Sequence, residues 1–450
     1  MNIPYSFNLM AVGENITAAP VEGLCGVFVY NSDNDVVLSA MTVSDITLDY
    51  FNRRNMSVWS GGNAGAIAVF SGCAINVYSC GICSELELNA QGSAQIYTKG
   101  RISSVQIKSD ATLYVSSGGA VHDPVVSEGG RITMQSSAVL SGGIFMSGAD
   151  GLTVSSGSVI ESAEFYNTGK TLIVGSGGIC RNITMCANMT ISSGGAASRV
   201  ALTSNGALTV VRGGQVYNLS TDSGCIVSCW IYGEDSATVI TGSGVHGEFF
   251  VSSGSGANLD IYGRNNCLNV YVGGRVSGVR VYSGASCHVS AGGSGVDIEI
   301  YSNGAMYLES AGTASGIKVY SGAKFSALNY ASCCDIVADG GVIYNDPEST
   351  TSGVQIINGG SQTVNRSGIA NDVQVVNGIL NLSSGIGSGL VIHSGGSCSA
   401  YRPLWLDDIV VKSGGTLILH SGHATRVSSE TGANCIASNG GVIDYIQVDP

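Results

Sequence analysis

The chain has 450 residues, 44% of them hydrophobic and only 11% charged, which excludes a disordered acidic tail. Gly is 65 of 450, about twice ordinary usage, but Pro is only 6, which excludes collagen and a flexible linker. A net charge of −13 repels phosphate backbones, so nucleic acid is not an expected partner.

In chain order, residues 1–55 lack the glycine spacing seen later, although Val36–Leu38 and Ile46–Leu48 read as strands; this segment is expected to be an N-terminal cap or head. The first basic residue is Arg53, so no basic, apolar secretory leader opens the sequence. The longest apolar run, around Leu24 to Tyr30, is far short of the ~18 residues a membrane-spanning helix needs. No membrane span is expected.

Residues 56–440 carry an internal repeat, most regular after Gly118. Tyr282, Tyr301 and Tyr320 close runs of similar sequence, and the interval is nineteen residues twice. Gly274, Gly293 and Gly312 keep the same interval, as do Val270, Val289 and Leu308, and Val391–Gly396 maps onto Val410–Gly415. Within a run apolar residues alternate, as in Val296, Ile298, Ile300 against Asp297, Glu299, Tyr301, so each unit holds two short strands with one buried face. Gly-Gly, Ser-Gly and Asn-Gly supply the positive φ of the turns between them and leave no room for a long helix. Gly242–Gly244 reads as such a turn.

A constant unit length favours a parallel β-solenoid over hairpins or propeller blades, because equivalent residues then stack at ~4.8 Å and the apolar rows stay inside. Asp260, Arg280, Glu299 and Lys318 occupy matching outward positions with alternating sign, as stacked neighbours should. The expectation is an all-β, single-stranded parallel β-solenoid (β-helix) of roughly twenty coils, a rod on the order of 95 Å. Asn345-Asp346-Pro347-Glu348 reads as a loop or a longer coil, and residues 441–450 as a C-terminal cap or tail.

The alternation of apolar residues with Ser-Gly-Gly, as in Leu152–Gly157, Met189–Gly195 and Leu208–Gly214, resembles the AIDA-type repeats of bacterial autotransporter adhesins over most of the chain after residue 56. The resemblance implies an extracellular or surface-exposed β-solenoid passenger that mediates adhesion or cell–cell association, in some members with sugars on Ser. Its partners would be a host or neighbouring-cell surface, glycans, or further copies of itself. Unlike such adhesins, the sequence shows neither a leader nor a C-terminal run of barrel strands, which suits a freestanding solenoid, an excised passenger or a subunit of a larger appendage.

The residues that carry chemistry form no catalytic, cofactor or metal constellation. Asp407-Asp408 is an adjacent acidic pair; beside Arg402 and Trp405 it would suit sugar binding, but neighbouring strand residues face opposite ways. His420 and His423 lack a third metal ligand, and Cys80-Gly-Ile-Cys83 lacks a second pair. Cys333 and Cys334 would face opposite sides of a strand. The fourteen Cys are scattered, and Cys73 and Cys225 stand where other units carry Ala285 and Ala323, so they read as small buried hydrophobes. Asn-x-Ser/Thr triplets, Asn182 and Asn188 among them, arise by chance in such a composition.

Tyr262, Tyr282, Tyr301 and Tyr320 are the candidate surface site, an aromatic ladder that would bind sugar rings or protein partners, or stabilise the stack. The expected function is that of a non-enzymatic extracellular structural or adhesive repeat protein. The alternative is a secreted or phage-tail-like polysaccharide-binding or polysaccharide-processing β-helix.

Overall fold

The computed structural model describes residues 27–448 apart from 31–35, 40–41, 50–54, 204–205, 212, 223–224, 231–238, 246–247, 264–265 and 404. The expected residues of the terminal segments 1–26 and 449–450 lie outside that set. Every regular element among the described residues is a β-strand, and nearly all pair in parallel with the strand one coil away, so the fold is a parallel β-solenoid of about 19 turns. No helix is long and apolar enough to cross a membrane. Two compact units divide the chain, one made of residues 1–209 with 213–216, the other of 210–212 with 217–450.

One coil of the second unit shows how the sequence builds the fold. Ala305–Leu308 is a four-residue strand with Met306 and Leu308 fully buried. A tight turn leads to Thr313–Tyr320, in which Ala314, Ile317 and Val319 are buried. Burial at 314 and 317 breaks strict alternation because Gly316 lies between them at φ +66°, in the left-handed region, where the chain turns a corner and the inward phase resets. Each such coil therefore holds the two strands read from its pattern, with the longer one bent at this corner.

That corner recurs in every coil of the second unit from Asn258 and Gly278 through Asp297, Gly316, Asp335, Gly353, Asp372, Gly389 and Asp408, all at φ between +52° and +66°. Asp and Asn tolerate this conformation better than other side chains, which is why glycine alone did not mark it. The alternation of Asp with Gly has a steric cause. A Cβ on Gly316 would lie 2.7 Å from Asp297 Oδ1, and one on Gly389 2.7 Å from Asp372 Oδ1, so the carboxylate of one coil occupies the space above it.

The glycine series read from the sequence proves to have a different role from the one assigned. Gly273 and Gly292 take the positive φ of the turn, at +72° each. Gly274, Gly293 and Gly312 follow the turn and need closeness instead: a Cβ there would meet the backbone carbonyls of Val251, Val270 and Val289 at 2.4, 2.8 and 2.5 Å.

Inside, side chains stack in columns: Leu268, Cys287, Met306 and Phe325 are each 0% exposed and successive in register. Cys73, Cys225, Ala285 and Ala323 are all buried, so cysteine does serve as a small hydrophobe here. Burial pushes the Cys83 and Cys180 thiols up to about 12, and the Cys287 and Cys333 thiols up further.

In the first unit the parallel ladder already includes Thr42–Leu48, paired with Asn63–Val69, while Val27–Tyr30 runs antiparallel to Val36–Ser39. In the second, Val442–Val448 pairs in parallel with His423–Ser429. Two local expectations meet the structure differently. Gly242–Gly244 lies within the strand Val239–Val245, where the register slips on either side of Gly242, so its glycines mark a bulge rather than a turn. Residues 346–349 form the turn between Val342–Asn345 and Thr350–Ile357, as the loop reading expects, but the coil is not longer, since Val342 is partnered with Lys324 only 18 positions earlier. Buried Asn345 closes this turn by donating to Ile369 O (2.7 Å) and Thr351 Oγ1 (3.2 Å), and Gln362 also donates to Thr351 (2.9 Å).

Candidate functional site

The four candidate tyrosines follow the buried column Ile261, Val281, Ile300, Val319 by one residue, so all four point outward from the same edge of the sheet in the second unit. They are vertical neighbours. Ring centroids are 4.1 Å apart for Tyr262–Tyr282, 4.8 Å for Tyr282–Tyr301 and 4.9 Å for Tyr301–Tyr320, with interplanar angles of 5°, 4° and 18°. These separations are the strand spacing itself, so the solenoid pitch enforces the stack. Asp339 takes the register position beyond Tyr320, where the column ends.

The rings are half-buried rather than exposed, because each interior ring covers the faces of the next. A sugar that stacks face-on needs an open ring face, and between Tyr262 and Tyr320 no gap admits one. The column offers ring edges and hydroxyls instead.

Two residues before each tyrosine runs the charge row. Asp260, Arg280, Glu299 and Lys318 are successive register partners, as their alternating signs required. Arg280 reaches Asp260 at 2.9 Å and Lys318 reaches Glu299 at 3.6 Å. Tyr301 donates to Glu299 at 2.7 Å, and the hydrogen bond to that carboxylate pushes the Tyr301 phenol well above its ordinary range. The hydrogen bond with Tyr282, followed by burial, raises Tyr262 to about 12. Burial raises Asp260 despite the opposing pull of Arg280. The Tyr262 and Tyr301 phenols, both raised, are neutral donors at neutral pH. Beside the charge row, Asn258, Gly278, Asp297 and Gly316 of the corner line a shallow depression of about 330 Å³ together with Arg280, Glu299 and Lys318. The surface as a whole can hydrogen-bond and ion-pair along one line, which suits an extended partner.

The other sequence candidates are separated. Asp407 is buried and takes bonds from Thr425 Oγ1 (2.7 Å) and Arg426 Nε (2.9 Å), whereas Asp408 is exposed at the left-handed corner, φ +56°. Thr425, then Arg426, hold the Asp407 carboxyl below the usual range against the effect of burial. Arg402 and Trp405 are exposed. His420 stacks on Tyr401 at 4.3 Å, while His423 pairs with Asp444 at 2.7 Å. Cys80 is exposed and Cys83 buried; Cys333 is buried and Cys334 half-buried, so neither pair shares a site. Among the described residues no group of three or more His, Cys, Asp or Glu is placed to hold a metal ion.

Sequence reading missed a second column, in the first unit. Trp59–Tyr78 and Tyr78–Tyr97 stack at 4.2 and 4.5 Å. Positions 59, 78 and 97 are again nineteen apart, so the same interval search would have found them.

No known protein family's profile matches the chain, and no curated protein matches it. Among solved structures, the chain is similar to the TibC-catalysed hyper-glycosylated TibA fragment at 18% identity, over 90% of this chain and 98% of that one, with a TM-score of 0.23. It is also similar to PfbA, a surface adhesin of Streptococcus pneumoniae, at 9% identity over 86% and 82%, with a TM-score of 0.13.

Proposed function

We propose that this chain is a non-enzymatic extracellular structural or adhesive repeat protein, which binds through the repetitive sides of its coils rather than through a pocket. One observation supports the reading above others: the outward row Asp260–Arg280–Glu299–Lys318 and the tyrosine column beside it repeat one chemical pattern at every coil step, a surface suited to many weak, additive contacts. The AIDA-type resemblance of the repeats agrees with it. The partners are then a cell surface, its glycans, or a second copy of the chain.

The test is binding of purified full-length protein to arrayed glycans and to whole cells, with light scattering for self-association and a reducing-sugar assay for hydrolysis. Binding by any of the first three routes that weakens in the Arg280→Glu/Lys318→Glu variant supports the proposal. Release of reducing sugar would overturn it in favour of a polysaccharide-processing β-helix.

A further inference from the structure

A second cluster stands on the outer side of the short strands, in the second unit. Cys267, His288 and Glu309 are each 21 positions apart. In register, Cys267 sits beside Ser286 and Asn269 beside His288, so a step of 21 moves one coil up and two residues along, and the three side chains lie on a diagonal of one face. Cys267 and His288 are diagonal neighbours on adjacent coils, which puts the imidazole within reach of the thiol. On the other side, His288 Nδ1 lies 3.1 Å from Glu309 Oε1, and Ser290 Oγ is 3.5 Å from Glu309 Oε2. The imidazole rests on the Tyr307 ring at 4.7 Å, which fixes its plane. The Cys267 thiol donates to Asn269 Oδ1 at 3.3 Å, a contact that holds Sγ on this face of the strand.

This is a nucleophile, a base and a carboxylate that orients the base, in the order that activates a thiol. We propose that Cys267 is a reactive thiol, activated by His288 and Glu309, which undergoes thiol–disulfide exchange with small disulfides. The Cys267 proton passes to His288; Sγ attacks one sulfur of the disulfide, the new S–S bond forms as the old one breaks, and the departing thiolate takes the proton from His288. The net reaction is protein thiol plus disulfide to mixed disulfide plus small thiol. The inference does not depend on the adhesive reading.

Electrostatics agree with the geometry. Burial raises the Cys267 thiol, but the His288 and Ser286 hydrogen bonds and the His288 charge outweigh it, and the net shift is downward. His288 is shifted upward by the Cys267 hydrogen bond, against burial and with help from Glu309. The titratable groups around the thiol are His288 and Glu309 on the coils above and Cys287 buried behind. The half-buried Cys267 differs from the sealed Cys287, and from Cys80, which is exposed beside the Ser79 hydroxyl.

The test uses reduced, folded, full-length protein and 5,5′-dithiobis(2-nitrobenzoate) as the disulfide, with the modified residue located by peptide mass spectrometry. The expected result is a fast phase carried by Cys267, absent in Cys267→Ser, whose rate falls less steeply between about pH 8 and pH 6 than the roughly tenfold per unit of an unassisted thiol. His288→Gln should slow it about tenfold at pH 6 and restore the ordinary slope, and Glu309→Gln should act in the same direction with a smaller effect, in proteins whose circular dichroism is unchanged. First labelling at Cys80, or a Cys267 rate and pH slope indifferent to both substitutions, would overturn the proposal.

Discussion

Replacing Tyr301 with Ala removes the middle of the tyrosine column. Two ring contacts are lost, at 4.8 and 4.9 Å, together with the 2.7 Å hydrogen bond to Glu299. Aromatic pairs contribute roughly 0.5–1.5 kcal/mol each, and a hydrogen bond to a charged, partly exposed acceptor about 1 kcal/mol. The expected loss is about 2–4 kcal/mol. Tyr320→Ala removes one contact, so it should cost about half as much or less. Tyr301→Phe keeps both stacks and gives up only the bond to Glu299, for about 1 kcal/mol. Urea unfolding followed by circular dichroism measures all three, and a double-mutant cycle with Tyr282 should return a coupling of about 0.5–1.5 kcal/mol. Equal costs for Tyr301→Ala and Tyr320→Ala, or zero coupling, would refute the claim that the solenoid pitch is what stacks the rings.

Gly312→Ala drives a Cβ to 2.5 Å from the Val289 carbonyl, part of a backbone that cannot yield, and should cost about 3 kcal/mol in thermal or urea unfolding. Gly316→Ala should cost less, about 1–2 kcal/mol, despite its φ of +66°, and less still beside Asp297→Gly, because the obstructing atom is the movable Asp297 carboxylate. Lys318→Glu sets two carboxylates side by side at Glu299, and is expected to destabilise by about 0.5–1 kcal/mol in dilute buffer and by much less in ~1 M salt. Asp407, held below its ordinary range, contributes stability that is present above about pH 4 and is lost as pH falls through its folded value; stability curves of the wild type and Asp407→Asn should therefore differ at pH 7 and converge in acid. Curves that stay parallel throughout would contradict the Thr425–Arg426 account.

Periodicity of nineteen carried most of the architecture, because in a stack the same interval fixes both the burial column and the register, so Tyr282, Tyr301 and Tyr320 had to meet. The bend within the longer strand was hidden for a definite reason. Its corner is filled by Asp297 and Asp335 as readily as by Gly316 and Gly353, so no single residue type announces it. Gly312 misled in the opposite way: its residue type was plain, but whether it served φ or closeness depends on a carbonyl one coil away. Within the candidate surface, the charge row followed from spacing alone, whereas the closing of the ring faces did not, since it depends on the separation of centroids. Cys267, His288 and Glu309 escaped because their interval is 21, visible only once the diagonal of the sheet is considered.

The stacking itself is best tested by distances along one outward row of the second unit. Positions 280, 299, 318, 337, 355, 374, 391 and 410 are successive register partners, so 355, 374 and 410 lie four, five and seven coils from 280. With spin labels attached through a genetically encoded ketone, which leaves the cysteines untouched, electron–electron dipolar spectroscopy should give backbone separations of roughly 19, 24 and 34 Å, rising by ~4.8 Å per coil. Separations that do not increase in that order, or that grow at a rate other than one strand spacing per unit, would contradict the stack.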